Sequence, residues 1–146
     1  MKITQSMLVM FLGSFIVQYF VMPAIMVSKL SYVTNHLGKA YLATIMALCM
    51  VLIEVAMHDM QYHTMSLNWY AVLGGLSAMM VYLYRRQIGI NDREYVTGMI
   101  EHHAMALFTS DAIANKTDNY EVAKLAKNII QQQTDELESA PMNTYL

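Results

Sequence analysis

Two imidazoles and two thioethers packed into a short segment are the side chains in this sequence best suited to chemistry. The stretch Asp92 to Ser110, DREYVTGMIEHHAMALFTS, places Met99 three positions before His102 and four before His103. On a helix that spacing puts one sulfur and two ring nitrogens on a shared side. Met105 extends this surface by a turn and Glu101 borders it. Soft sulfur and nitrogen donors without a thiolate suit Cu(I) better than Mg or Ca, and they fit a structural Zn site poorly. The competing reading is packing, because adjacent histidines often sit one on the surface and one against a partner, and methionine is a common core filler.

A second set lies upstream. Met46, Met50, Glu54 and His58 follow a strict four-residue step, with Met57 beside them, so one helix face carries thioethers, a carboxylate and an imidazole. The run that holds them, Ala40 to Met57, is otherwise apolar, and an ionisable group inside such a run faces a bundle interior or a cavity by default. Met50, Glu54 and His58, with His63 from the segment that follows, form a second candidate metal site. Against this stands the reading in which Glu54 reaches to the interface and the methionines pack.

The elements that must position these residues follow from composition. The chain has 146 residues, 56% hydrophobic and 14% charged, with a net charge of −2 and 15 methionines. That balance indicates a membrane protein. The weak negative charge and the absence of a dense basic cluster argue against nucleic acid as a partner. The single cysteine, Cys49, excludes an internal disulfide framework. Three apolar stretches are expected to span: 7–27, 40–57 and 69–84. The first is longer than the apolar region of a signal peptide, its rival reading, and Pro23 is expected to kink or end it. Lys29 to Lys39 is a polar connection, and His58 to Asn68 is expected to be a loop. A membrane domain over 1–88 and a helical domain over 89–146 result. Lys29, Lys39, Arg85, Arg86 and Arg93 lie near membrane ends on one side, against Lys2 on the other, which places the C-terminal domain in the cytoplasm.

Beyond Gly89 the pattern becomes amphipathic and charged. Asn91 with Glu94, and Asp118 with Glu121, resemble N-caps with capping-box glutamates, so helices are expected over 92–115 and 119–139, antiparallel across a short turn. Their stripes read Tyr95, Met99, His102, Ala106, Thr109, Ile113 and Val122, Leu125, Ile129, Gln133, Glu136. In an antiparallel pair, position 103 faces about 131 and 99 faces about 135, so Gln133 and Glu136 fall near the histidines and join them as candidate ligands or orienting partners. Two helices are too few to bury a core alone, so self-association into a four-helix arrangement is expected.

The residues Asp92, Arg93, Met99-Ile100-Glu101-His102-His103 and, some thirty positions later, Ile129-Ile130 and Gln133-Thr134-Asp135-Glu136-Leu137 resemble the domain of unknown function 305 family. That family is marked by a Met-Ile-Pro-His-His segment and a later Gln-x-x-Glu-Ile segment followed by Met. Glu101 stands in place of the proline, Thr109 where Met is common, and Ala140 where the later Met would fall, with Met105 and Met142 as substitutes. The resemblance implies a ferritin-like helical fold and, from some members, copper binding and copper tolerance.

The expectation is therefore an all-α chain in a bacterial-type inner or plasma membrane, multi-pass, with a hairpin that completes a four-helix ferritin-like bundle by self-association. Its expected role is copper binding or copper homeostasis, with Cu(I) held by Met99, His102, His103, Met105, Gln133 and Glu136. Exported soluble members of the family would put the hairpin in the periplasm instead. The alternative function is a structural or partner-binding membrane protein in which these side chains only pack. An enzyme is not expected, since the hairpin offers no Glu-x-x-His pair, nucleophile set or phosphate loop.

Overall fold

The computed structural model describes residues 3–139, 142 and 144. Its elements are α1 (Ile3–Ile16), a π turn (Val17–Val21), α2 (Met22–Met26), a 3-10 turn (Leu30–Tyr32), α3 (Leu37–Tyr62), α4 (Leu67–Arg85), α5 (Asp92–Ala114) and α6 (Tyr120–Leu137). There is no strand among the described residues. The contacts divide into two units, one formed by the chain up to Val21 with Leu37–Gly89, the other by Met22–His36 with the chain from Ile90 onward.

In the first unit α3 lies between its neighbours. Lys39, Ala43, Ala47, Val51, Val55 and Asp59 are buried at a step of four, so one narrow stripe runs the length of the helix. Val51, Val55 and Leu48 meet Met7 of α1 and Leu73 of α4 in the core. α1 runs antiparallel to α3: the Ser6 hydroxyl donates to the Glu54 carboxylate, and the Lys39 ammonium lies 4.9 Å over the Tyr19 ring.

The expected loop over 58–68 is corrected to four residues, because nothing between His58 and Tyr62 breaks a helix and α3 continues through Tyr62. What stops it is Asp59, whose carboxylate accepts from the Ser66 backbone N–H at 2.7 Å, the Ser66 hydroxyl at 2.8 Å and the Thr64 hydroxyl at 2.9 Å. α4 then returns along α3, and the Tyr41 hydroxyl donates to the Ile88 carbonyl at 2.8 Å. Gly89 has φ +78° there, and a Cβ on it would meet Leu37 at 3.0 Å, so this exit requires glycine twice over.

Two helical stretches, Ile3–Met26 and Leu37–Tyr62, are long and apolar enough to cross a membrane. The third expected span, 69–84, is corrected. It is a helix but not one of these, because Asn68, the Gly74-Gly75 pair, Ser77, three tyrosines and Arg85 dilute its apolar character. The π turn at Val17–Val21 precedes Pro23, which lacks the N–H that would bond the Tyr19 carbonyl, so the backbone widens locally where the sequence suggests a kink.

In the second unit, α5 and α6 form the antiparallel hairpin within a residue or two of the expected bounds. Asn91 caps α5 by accepting from the Glu94 N–H at 3.0 Å. At α6 the cap is Asn119 and not Asp118: its side chain accepts from Glu121 at 3.0 Å and Val122 at 3.3 Å. The stripes are rotated from their expected positions. Leu125, Tyr95 and Ile113 are exposed, while Ile100, Glu101, His103, Ala104 and Ser110 of α5 and Ala126 and Leu137 of α6 are buried. On α5 the segment Met22–His36 contributes, since its α2 and 3-10 turn contact α5 and give it a second covered face that periodicity alone assigns to nothing.

Removing the Asp59 acceptor leaves three donors without it in the α3–α4 turn. Asp59→Ala is expected to cost on the order of 3 kcal/mol and to open the His63–Ser66 turn to protease. An unchanged melting temperature and cleavage pattern would show that the turn is held by something else.

Candidate functional site

His103 is the best positioned of the expected ligands. Its side chain is 5% exposed, and it sits on the face of α5 that meets α6. Nδ1 lies 2.6 Å from the Met99 carbonyl oxygen, which can only accept, so Nδ1 carries a proton. Nε2 faces the Glu136 carboxylate of α6, with which it pairs. An ionised carboxylate also only accepts, so the two groups can face each other only with a proton or a cation between them. The backbone bond at Nδ1 thus sets the tautomer and aims the other nitrogen at an acidic oxygen, which is the preparation a histidine ligand needs. Glu136 lies about one turn beyond the position expected opposite His103, and its long side chain reaches back to it.

The remaining candidates are less convergent. His102 is exposed, with its ring centroid 6.0 Å from that of His103 at 75°. Met99, Met105 and Gln133 are half-buried. Thr109 is exposed, its hydroxyl bonded to the carbonyls of Met105 and Ala106. Ala140 lies outside the described residues, whereas the Met142 N–H donates to the Ser139 carbonyl at 3.1 Å. Among the described residues no three of His, Cys, Asp and Glu converge as a complete protein-only metal shell would need. The hairpin therefore supplies two donors in register, with thioethers on the neighbouring turns.

The second candidate set separates. Glu54 is engaged with Ser6 and Met50 is half-buried beside it. His58 stacks on Tyr62 at 4.6 Å, and its Nδ1 is buried without a hydrogen bond, 3.5 Å from the Asp59 carboxylate. His63 is exposed at the helix end with φ 49° and does not join Glu54.

Sequence reasoning placed Glu101 only on the border of the histidine surface. It is buried, and its Oε2 accepts from the Thr34 N–H at 3.0 Å, while the Thr34 hydroxyl donates to the Thr97 carbonyl at 2.9 Å. Gly98 lets the His36 ring lie against α5, since a Cβ there would stand 3.1 Å from it. The available signal was a carboxylate one residue from two histidines on an otherwise apolar turn, which a buried backbone donor explains as well as a metal.

Helices with no strand among the described residues, two of the stretches long and apolar enough to cross a membrane, and a His–Glu-braced C-terminal hairpin define an all-α helical-hairpin protein. More specifically, the chain belongs to the DUF305 family, a domain of unknown function whose model matches residues 73–146, half of the sequence. The match begins within α4 and takes in the whole hairpin. The chain is also 28% identical over 144 residues to an uncharacterized protein of Acanthamoeba polyphaga mimivirus, an alignment covering 95% of this chain and 90% of the relative. No solved structure matches.

Glu101→Ala takes the carboxylate acceptor from a buried backbone N–H and is expected to cost about 1–3 kcal/mol. The Thr34 amide should then exchange faster while α6 exchange is unchanged. Equal slowing or equal loss at both would refute the local role of Glu101.

Proposed function

We propose that this chain is a membrane-anchored metal-binding protein of copper homeostasis, with His103 and Glu136 as the core of its site. The observation that carries the reading is the facing pair itself: a tautomer-fixed Nε2 opposite a carboxylate, where a cation can take the place of the proton. Met99 and Met105 add thioethers on adjoining turns, and these soft donors favour Cu(I). The missing donors are supplied by self-association. Tyr95, Phe108, Tyr120 and Leu125 are exposed on the hairpin, apolar side chains available for contact with a second copy.

Location follows from the same unit. Thr34, in the connection before α3, bonds to Thr97 and Glu101 of α5, which supports a reading in which α4 returns along α3 and that connection and the hairpin share a side. The positive charge of Lys29, Lys39, Arg85, Arg86 and Arg93 favours the cytoplasm as that side. An impermeant thiol reagent should leave Asn128→Cys unlabelled in intact cells when Cys49 is replaced. Labelling would reverse the orientation.

A second reading rests on the engagement of both His103 nitrogens. If the pair is a plain cross-brace of the hairpin, the protein is a structural or partner-binding one. Three variants separate the readings: Met99→Leu, Glu136→Gln and the His102→Ala, His103→Ala double change. Glu136→Gln keeps a group able to hydrogen-bond Nε2 but removes the charge. A metal role gives at least about a tenfold weaker Cu(I) affinity with the fold retained. A brace role gives a lower melting temperature in the double variant and the same bound metal throughout. Wild-type protein that takes no Cu(I) from a calibrated competing chelator removes the copper reading.

A further inference from the structure

The first unit holds a feature that the hairpin reading does not use. On α1 and the π turn, Ser6, Met10, Ser14 and Gln18 follow a four-residue step, and on α3 so do Met46, Met50 and Glu54. The antiparallel register set by Ser6 on Glu54 and Tyr19 on Lys39 puts Met10 opposite Met50 and Ser14 opposite Met46. Between the two stripes lies an open groove of about 410 Å³ lined by these methionines, the serines, Gln18, Gly13, Val9 and Val17. Thus polar and sulfur-bearing residues of two apolar, membrane-length helices border one space, and Ser6 at its edge bonds the carboxylate of Glu54.

Packing does not account for this arrangement. Methionine as a core filler occupies gaps, yet here three methionines border open space and Met46 is 47% exposed. Gly13 faces the groove, where a Cβ on it would meet nothing within 4 Å. Polar groups inside a membrane segment are costly and face a pathway or a ligand.

We propose that the α1–α3 seam is a second, intramembrane binding site for a soft monovalent cation, Cu(I) in kind, held by Met10, Met46 and Met50 and charge-balanced by Glu54. Thioethers are neutral, so a monovalent ion needs one compensating charge in apolar surroundings, and Glu54 supplies one. A single carboxylate with three sulfurs offers no oxygen cage to Ca or Mg and no thiolates to a structural Zn. Ser6, which lines the groove, donates to the carboxylate and ties it to the seam. The site goes beyond the hairpin site and does not depend on it.

The test uses the full chain in lipid nanodiscs with His102→Ala, His103→Ala and Glu136→Gln already in place, so that the hairpin donors are gone. Silver(I), and copper(I) under reductant, are titrated against a calibrated chelator. The expected result is one ion per chain, with absorption spectroscopy of the bound copper showing sulfur neighbours. Adding Met10→Leu with Met50→Leu should weaken binding by at least about tenfold. Gly13→Leu fills the groove without touching a donor and should abolish binding with helical content unchanged. The proposal is overturned if the background variant binds no silver or copper ion, or if Gly13→Leu and the paired methionine changes leave affinity as it was, which would mark the seam as a place for lipid chains.

Discussion

The close fit of α3 between α1 and α4 is the constraint on which the first unit depends. Ala43 and Ala47 have no exposed surface, and both are among the smallest side chains on the helix. Small residues let helices approach closely, so that packing and interhelical hydrogen bonds can hold the assembly. The buried stripe ends at both extremities in a charged residue with a definite partner: Lys39 over Tyr19, and Asp59 on the Ser66 turn. Those two ends set register, and register decides that Met50 faces Met10. A shift by one residue on either helix would turn the carboxylate of Glu54 away from Ser6.

In the hairpin the equivalent role falls to a polar pair. α6 buries little beyond Ala126 and Leu137, so apolar contact alone specifies its rotation weakly. His103 and Glu136 specify it, because an imidazole with only 5% of its side chain exposed cannot be left without partners. The bond from Nδ1 to the Met99 carbonyl and the facing carboxylate at Nε2 use both ring nitrogens, and together they hold α6 at one azimuth and one height against α5.

Much of this was legible in the sequence. Apolar runs of membrane length, the Asn91 cap and the antiparallel hairpin all follow from residue type and a single periodicity. The approach of Glu136 to His103 followed from counting across a turn, within the reach of a long side chain. What was not legible depended on contacts between distant segments. Met22–His36 covering α5 contributes to the rotation of its stripe, and no periodicity in 92–139 can report a cover supplied from elsewhere. Likewise the Asp118 and Asn119 pair offered two adjacent cap residues, and only the backbone path chose Asn119. The pairing of Met10 with Met46 and Met50 required the α1–α3 register, which Ser6 and Tyr19 do not announce.

Glu101 joins these observations. The resemblance sets a proline at this position, and a proline there would leave the Thr97 carbonyl without its helical donor and press on it, bending or breaking the helix. With Glu101 the helix runs unbroken from Asp92 to Ala114, and the carboxylate is free to hold the Thr34 N–H while Thr97 takes the Thr34 hydroxyl. Gly98, one turn back, leaves the space into which His36 fits. These three positions together make α5 a docking face for the segment that precedes α3. Glu101 thus ties α5 to the chain leading into the membrane-length helix, while His102 and His103 follow it directly.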